Sequence, residues 1–132
     1  MKRNKKGFTI VELVIVIAVI AILAAVLIPT FSSVIDNANK SSALQEGKAA
    51  LDIVSMLETD KQANHKMQDG KYYFVNSKKT GEKDYVCCYD AKAAETFSVM
   101  TYSDAGISSL TKLYDNSNNA DLGDTVVYYK SN

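Results

Sequence analysis

The most prominent pattern in the chain is an unbroken apolar run close to the N-terminus. Every residue from Leu13 to Ile28 is apolar, and extension to Phe8 and Phe31 gives 24 residues with Glu12 as the only charge. A helix needs about 20 such residues to cross the hydrocarbon core of a bilayer. The pattern therefore predicts a membrane-spanning helix that carries one carboxylate.

The helical spacing of apolar residues continues beyond this run, but on two different faces. Phe31, Val34, Ile35 and Ala38 form one stripe at helical spacing. A second stripe on nearly the opposite side consists of Ala43, Leu44, Gly47, Ala50, Leu51, Val54 and Leu57. Two stripes predict two surroundings, other subunits for the first half and the chain's own C-terminal part for the second. The predicted helix extends from Phe8 to about Asp60, with a weakly helical joint over Asp36–Ser42.

Aromatic and β-branched residues recur in the remaining part of the chain, residues 61–132, and predict a small β-rich domain. The predicted strands are Lys71–Val75, Asp84–Tyr89, Phe97–Tyr102 and Thr125–Lys130, the first two forming a hairpin, and a short helix is predicted within Asp104–Asp115. About 70 residues are too few for a large core of their own. The sheet should therefore pack one face on the second stripe of the helix and leave the other face in water. The predicted fold class is α+β, with a long helix on a small antiparallel sheet.

Charge is distributed unevenly and indicates an orientation. Lys2, Arg3, Lys5 and Lys6 precede Gly7, and such a basic edge favours retention on the cytoplasmic side, so the C-terminal part is predicted to be exported. Loss of these four residues leaves 11 basic against 15 acidic residues, a net charge of −4. This remainder argues against direct nucleic-acid binding, which needs a basic face. A cleaved secretory signal fits less well, because the apolar run is long and no clear small-x-small site precedes polar sequence.

The residues around this edge resemble a known signal. Lys6-Gly7-Phe8-Thr9-Ile10-Val11-Glu12, followed by the apolar helix and Pro29, is similar to the class III signal of type IV pilins and pseudopilins. The resemblance covers about the first 30 residues, and a plain single-pass anchor would leave Gly7 and Glu12 unexplained. It implies that prepilin peptidase cleaves between Gly7 and Phe8 and methylates the new amine of Phe8. It also implies a pilin-like organisation of leader 1–7, membrane and filament-core helix 8–30, amphipathic helix 31–60 and exported domain 61–132.

Glu12 and Pro29 are the predicted assembly residues. Glu12 lies one helical turn after Phe8, so its carboxylate can pair with the Phe8 amine of its own or a neighbouring chain. An unpaired carboxylate at mid-membrane costs about 2.5–3.5 kcal/mol, less near the interface. The alternative is a Glu12 that reaches back to the lipid headgroups. Pro29 predicts a bend or local unwinding that aids packing, or alternatively a helix end at the membrane surface.

Few residues suggest further chemistry. Cys87 and Cys88 are adjacent in a predicted strand, where side chains point to opposite faces, so two semi-buried thiols are favoured over a strained vicinal disulfide, which remains open. Unpaired exported cysteines suggest a Gram-positive or anaerobic host. His65 has no partner at metal or triad spacing, and the oxygen-rich loop Asp115–Asp124 lacks the glycine and glutamate of a calcium loop. We therefore predict no cofactor, no metal and no enzymatic activity.

Two functions compete on these observations. The first is a structural subunit of a type IV pilus-like filament at the cell surface, held in the cytoplasmic membrane before assembly. The second is a minor pilin or pseudopilin of a secretion or DNA-uptake machine, acting as a membrane-tethered binding module. The predicted partners in both cases are other pilins, including copies of this chain, together with prepilin peptidase and the membrane assembly machinery.

Overall fold

The computed structural model describes residues 7–59, 70–93 and 96–131, and it has the predicted α+β architecture. One long helix, α1, extends from Ile10 to Thr59, and a short helix α2 covers Tyr102–Ala105. The strands are β1 (Gly70–Asn76), β2 (Tyr85–Asp90), β3 (Thr96–Thr101), β4 (Thr111–Tyr114) and β5 (Thr125–Ser131). Two 3₁₀ turns cover Ile107–Ser109 and Ala120–Leu122. His65 lies outside the described residues.

The chain divides into two compact units, and the division falls inside α1 between Asn37 and Ala38. In the described part of the first unit, α1 exposes nearly every side chain of its apolar run. The second unit contains the remainder of α1 and the whole sheet. The predicted joint over Asp36–Ser42 is helical throughout, although the division between the units falls within it.

All strands of the sheet are antiparallel, in the order β3-β2-β1-β5-β4. The predicted hairpin is confirmed, with Tyr72 opposite Tyr89 and Tyr73 opposite Cys88. Strand β5 pairs with the other side of β1 along its whole length, from Gly70 opposite Ser131 to Asn76 opposite Thr125. The first and last strands along the chain, β1 and β5, are thus neighbours in the interior of the sheet.

One face of the sheet packs on α1, as the second apolar stripe predicts. The first-face cluster consists of Ala50, Val54, Tyr72, Phe74, Cys87, Tyr89, Leu122 and Val127, with Leu44, Leu51 and Ile53 packed against it. Gly47 allows the closest approach, since a Cβ atom there would lie 2.3 Å from Cys87 Sγ. Bulk at this helix position would therefore push the helix away from β2.

The other face of the sheet is not left in water, and this part of the prediction is wrong. A second-face cluster buries Tyr73, Val75, Val86, Cys88, Ala105 and Ile107, with Met100, Tyr102, Leu110 and Tyr128 packed against it. The segment after β3, residues 102–110, supplies the cover. Thr101 begins this segment by accepting a hydrogen bond on its side chain from the Asp104 amide, and Gly106 ends α2 at φ 58°.

The short helix predicted within Asp104–Asp115 is also largely wrong. Only α2 and one 3₁₀ turn form there, and Thr111–Tyr114 is a fifth strand paired with β5. Leu110 packs on the second-face cluster, whereas Tyr114 packs on the first-face cluster. Their helical spacing is therefore coincidental, because the two side chains serve opposite faces of the sheet.

Candidate processing and assembly segment

The described residues that precede α1, 7–9, are exposed. Residues 7–9 have no regular secondary structure, and a Cβ atom placed on Gly7 would meet nothing within 4 Å. The Phe8 side chain is 85 % exposed. An enzyme can therefore approach the backbone between Gly7 and Phe8 without first opening a helix.

Helix α1 begins with a reciprocal pair of hydrogen bonds between Thr9 and Glu12. The Thr9 amide donates to a Glu12 carboxylate oxygen at 3.2 Å, and the Glu12 amide donates to Thr9 Oγ1 at 3.3 Å. This is a capping box, which satisfies backbone donors that have no partner within the helix. Sequence reasoning missed it, although the spacing Thr-x-x-Glu before an apolar run was a sufficient signal.

The capping box gives Glu12 a partner within its own chain. Its carboxylate accepts a hydrogen bond from the Thr9 amide, three residues after Lys6, so the carboxylate does not enter the apolar part of the helix unpaired. The predicted pairing of Glu12 with an amine at Phe8 stays a prediction. Both groups lie at the same end of α1, which is the arrangement that such a pairing requires.

The apolar run itself is presented outward. The large apolar side chains from Phe8 to Ile35 are exposed by about half or more, for example Ile10 by 81 % and Ile28 by 69 %. Among the described residues, α1 is the one helix long and apolar enough to cross a membrane. The first unit thus has an apolar surface on all sides, which favours a surrounding of lipid or of other apolar helices.

Pro29 lies inside α1, and the helix is not unwound around it. Proline removes one backbone donor, which leaves the carbonyl one turn earlier without its usual partner. Beside it, the Thr30 hydroxyl donates to the Val26 carbonyl at 3.0 Å and adds a bond to this turn. The alternative of a helix end at Pro29 is excluded, whereas a role of Pro29 in assembly stays a prediction.

Cys87 and Cys88 are both free thiols and both buried. They point to opposite faces, with Cys87 in the first-face cluster and Cys88 in the second-face cluster. Burial raises the pKa of Cys87 to about 12, and it also raises the pKa of Cys88. Both thiols therefore stay protonated near neutral pH, and thiolate chemistry is suppressed.

Several side-chain oxygens of the oxygen-rich loop after β4 accept hydrogen bonds from the loop and from β4. The Asp115 carboxylate accepts hydrogen bonds from Lys112 and Ser117, and these bonds lower its pKa to about 2. Asn119 Oδ1 accepts from the Asp121 amide at 2.8 Å. No cluster of three or more His, Cys, Asp or Glu side chains that could hold a metal ion occurs within the described ranges.

The strand tyrosines serve the packing of the sheet. Tyr72, Tyr73 and Tyr89 are buried, and Tyr85, Tyr128 and Tyr129 are half-buried. On the first face the rings form a row in which Tyr72 lies 5.2 Å from Tyr129 and 6.4 Å from Tyr89 between centroids. Tyr89 in turn lies 5.0 Å from Phe97.

Comparison with known proteins bears on the segment before and within α1. Residues 2–28 match the family described as the prokaryotic N-terminal methylation motif. This chain carries that motif. The motif includes the exposed Gly7 and Phe8, the capping box of Thr9 and Glu12, and most of the apolar run.

Individual relatives match shorter parts of the chain. The type IV wide pilus major component PilA4 of Thermus thermophilus is 65 % identical over 37 residues, which are 28 % of each chain. The type IV major fimbrial protein FimA of Dichelobacter nodosus is 46 % identical over 46 residues, 35 % of this chain and 30 % of the relative. The fimbrial protein EcpC of Eikenella corrodens is 38 % identical over 61 residues, 46 % of this chain and 40 % of the relative.

These matches cover less than half of each relative. No solved structure gives a significant match. Since none of the comparisons concerns the cell envelope, the inference of a Gram-positive or anaerobic host is unsupported.

Proposed function

We propose that this chain is a structural subunit of a type IV pilus-like filament. It is made as a precursor, and prepilin peptidase cleaves it between Gly7 and Phe8 and methylates the new amine of Phe8. The observation that carries this proposal is the methylation motif over residues 2–28, joined to a helix whose apolar side chains are exposed on all sides.

The exposed apolar run of α1 favours a location in lipid before assembly and among similar helices after it. Burial of one large apolar side chain contributes about 1.5–3 kcal/mol. Eighteen such side chains between Phe8 and Ile35 are exposed, so the first unit in water would be strongly unfavourable. A bilayer covers this surface before assembly, and the corresponding helices of neighbouring subunits cover it in the filament.

Glu12 supplies the register of assembly under this proposal. In the precursor its carboxylate is held by the Thr9 amide. Cleavage before Phe8 creates a cationic amine at the same end of the helix, and a carboxylate–ammonium hydrogen bond is roughly twice as strong as a neutral one. A neighbouring subunit in the correct register then offers Glu12 a better partner than lipid does.

Location and partners follow from the same features. The basic leader stays on the cytoplasmic side, so the second unit is exported and reaches the cell surface with the filament. The partners are copies of this chain and other pilins, prepilin peptidase, and the assembly machinery of the cytoplasmic membrane.

A main filament subunit is favoured over a binding module, because two of the relatives are named as major components of their pili or fimbriae.

Intact-mass spectrometry of sheared surface filaments and of the membrane fraction tests the proposal. Abundant sheared protein that begins at N-methylated Phe8 is the expected result. Processed protein confined to the membrane would instead support a minor pilin or pseudopilin. Protein that begins at Met1 in both fractions would overturn the proposal. Gly7→Leu should block cleavage, because bulk there obstructs close approach to the backbone, and Asn4→Leu within the leader is the matched control.

A further inference from the structure

The two edges of the sheet are built differently, and β4 is the protected one. It has four residues, it carries the exposed Lys112, and its register against β5 shifts between Lys112 and Tyr114. Short length, a lysine and an irregular register are the usual means by which an edge strand avoids pairing with other chains. β4 therefore resists the addition of a further strand.

β3, at the opposite edge, has none of these features. Its six residues, Thr96–Thr101, include no charged residue, no proline and no glycine. Its register against β2 is unbroken from Thr96 opposite Asp90 to Thr101 opposite Tyr85. Among the described residues, no strand pairs with the outer side of β3. The strand thus presents a regular row of outward backbone groups, a template for a further strand.

Within the part of the chain that the structure describes, some side chains of β3 are also only partly covered at this edge. Ser98 and Thr96 are exposed, and Val99 is half-buried and belongs to neither core cluster, although Cys87 opposite it is fully buried. A strand added outside β3 would cover Val99 on the first face. The edge is therefore suited to strand addition by its backbone and by its side chains.

We propose that β3 pairs antiparallel with β3 of a second copy of this chain. Because the strand is uncharged, pairing with itself brings no like charges together. A two-fold axis at Ser98 would place Phe97 opposite Val99 of the second copy on the first face, and aromatic–β-branched pairs stabilise sheets. A pair centred on Val99 is a neighbouring register that also keeps each side chain on its own face.

This pairing closes at two copies. It uses both β3 edges and leaves only the two protected β4 edges outside, so the joined sheet does not grow further. Such a contact is isologous, whereas subunits repeated along a helical filament meet through heterologous contacts. The β3 contact therefore joins chains that are not successive subunits of one filament.

Disulfide trapping of the full chain in detergent tests the contact. Directly opposed residues in a non-hydrogen-bonded antiparallel pair have Cα atoms about 4.5 Å apart, within disulfide range. Ser98→Cys or Val99→Cys, according to the register, should give a covalent dimer under mild oxidation. The matched control is Thr111→Cys on the β4 edge. All variants are made with Cys87→Ala and Cys88→Ala, because Cys88 lies opposite Ser98 and Cys87 lies opposite Val99 within the chain and either native thiol could form an intramolecular disulfide with the new cysteine.

A charge variant gives a second and independent measurement. Light scattering of the wild-type chain in detergent should show a concentration-dependent dimer. Ser98→Lys places two ammonium groups at the two-fold axis, or one residue from it if the pair is centred on Val99, and should abolish the dimer, whereas Thr111→Lys on β4 should retain it. A wild-type chain that is monomeric at all concentrations would overturn the proposal, as would trapping at positions 98 and 99 no faster than at 111. Neither measurement requires cleavage at Gly7, so failure here leaves the proposed filament function untouched.

Discussion

At the scale of single residues, Glu12 can act in two ways that one pair of substitutions separates. It caps α1 through the Thr9 amide, and it is proposed to pair with the amine of Phe8 after cleavage. Glutamine can replace glutamate in a capping box, but it carries no charge for the amine. We expect both Glu12→Gln and Glu12→Ala to be exported and cleaved, and both to lose surface filaments, as measured by the yield of sheared protein.

The control for this pair is Val11→Ala, which removes apolar bulk next to Glu12 without touching the carboxylate. It should assemble. Normal filaments from Glu12→Gln together with none from Glu12→Ala would show that the cap, and not the charge pair, is what assembly requires.

Gly47 is a second residue at which a single substitution can be tested, because the addition of one Cβ atom should change the free energy of unfolding. Alanine at an ordinary helix position gains about 1 kcal/mol over glycine. At Gly47, however, the added Cβ would lie 2.3 Å from Cys87 Sγ and 2.5 Å from Cys87 Cβ. Overpacking of this kind costs about 1–3 kcal/mol. Gly47→Ala should therefore lower the free energy of unfolding by up to about 2 kcal/mol, measured by urea denaturation of the chain in detergent.

The double variant Gly47→Ala with Cys87→Ala provides the check, since it removes the sulfur that the new Cβ would meet. The two substitutions should be non-additive, with part of the loss recovered. Gln45→Ala, at an exposed position on the same helix, should be nearly neutral. An unfolding free energy for Gly47→Ala at or above that of wild type would contradict the close approach of α1 and β2.

At the scale of elements, the segment between β3 and β4 covers the second face of the sheet. Ile107 is 4 % exposed and lies in the second-face cluster. Truncation of a buried isoleucine to alanine typically costs about 2–5 kcal/mol. Ile107→Ala should destabilise the chain by this order in urea denaturation, whereas the exposed neighbour substitution Ser108→Ala should be close to neutral. An unfolding free energy of Ile107→Ala equal to that of wild type would mean that the second face of the sheet does not need the cover of residues 102–110.

Sequence patterns predicted most of the elements but not this cover. The length of α1, the hairpin of β1 and β2, and the packing of the second stripe on the sheet follow from local periodicity and hydrophobicity. The position of residues 102–110 depends instead on a left-handed turn at Gly106 and on contacts with Val75 and Val86, which are distant in sequence. Leu110 and Tyr114 were misread because their spacing fits a helix, although they pack on opposite faces of the sheet.

In the candidate processing segment, too, features formed by contiguous residues can be predicted from the sequence, whereas features that depend on long-range pairing cannot. The methylation motif can be predicted from the sequence because its residues are contiguous, and the roles of Gly7, Phe8 and Glu12 stay predictions. The capping box of Thr9 and Glu12 is equally local, and its Thr-x-x-Glu spacing is sufficient to predict it. The exposed, uncharged edge at β3 was not predictable, since the order of strands in a sheet is set by long-range pairing.

At the scale of the whole molecule, the division at Asn37 and Ala38 makes a prediction about independent folding. Both core clusters draw their residues only from the second unit, whereas the first unit presents exposed apolar side chains. A chain that begins at Ala38 should therefore be soluble without detergent, monomeric or dimeric, and cooperatively folded, as judged by near-ultraviolet circular dichroism and thermal unfolding. The full chain should need detergent or lipid to remain in solution.

A chain that begins at Leu51 is the matched control, because it retains the sheet but lacks Ala43, Leu44, Gly47 and Ala50. Without this part of the stripe, Cys87 and Phe74 lose the helix that covers them. This shorter chain should aggregate or show no cooperative transition, because a small sheet with an uncovered apolar face is not stable in water. Cooperative unfolding of the chain from Leu51 would show that the sheet forms its own core. The long helix would then act only as an anchor and filament element, not also as part of the exported domain's core.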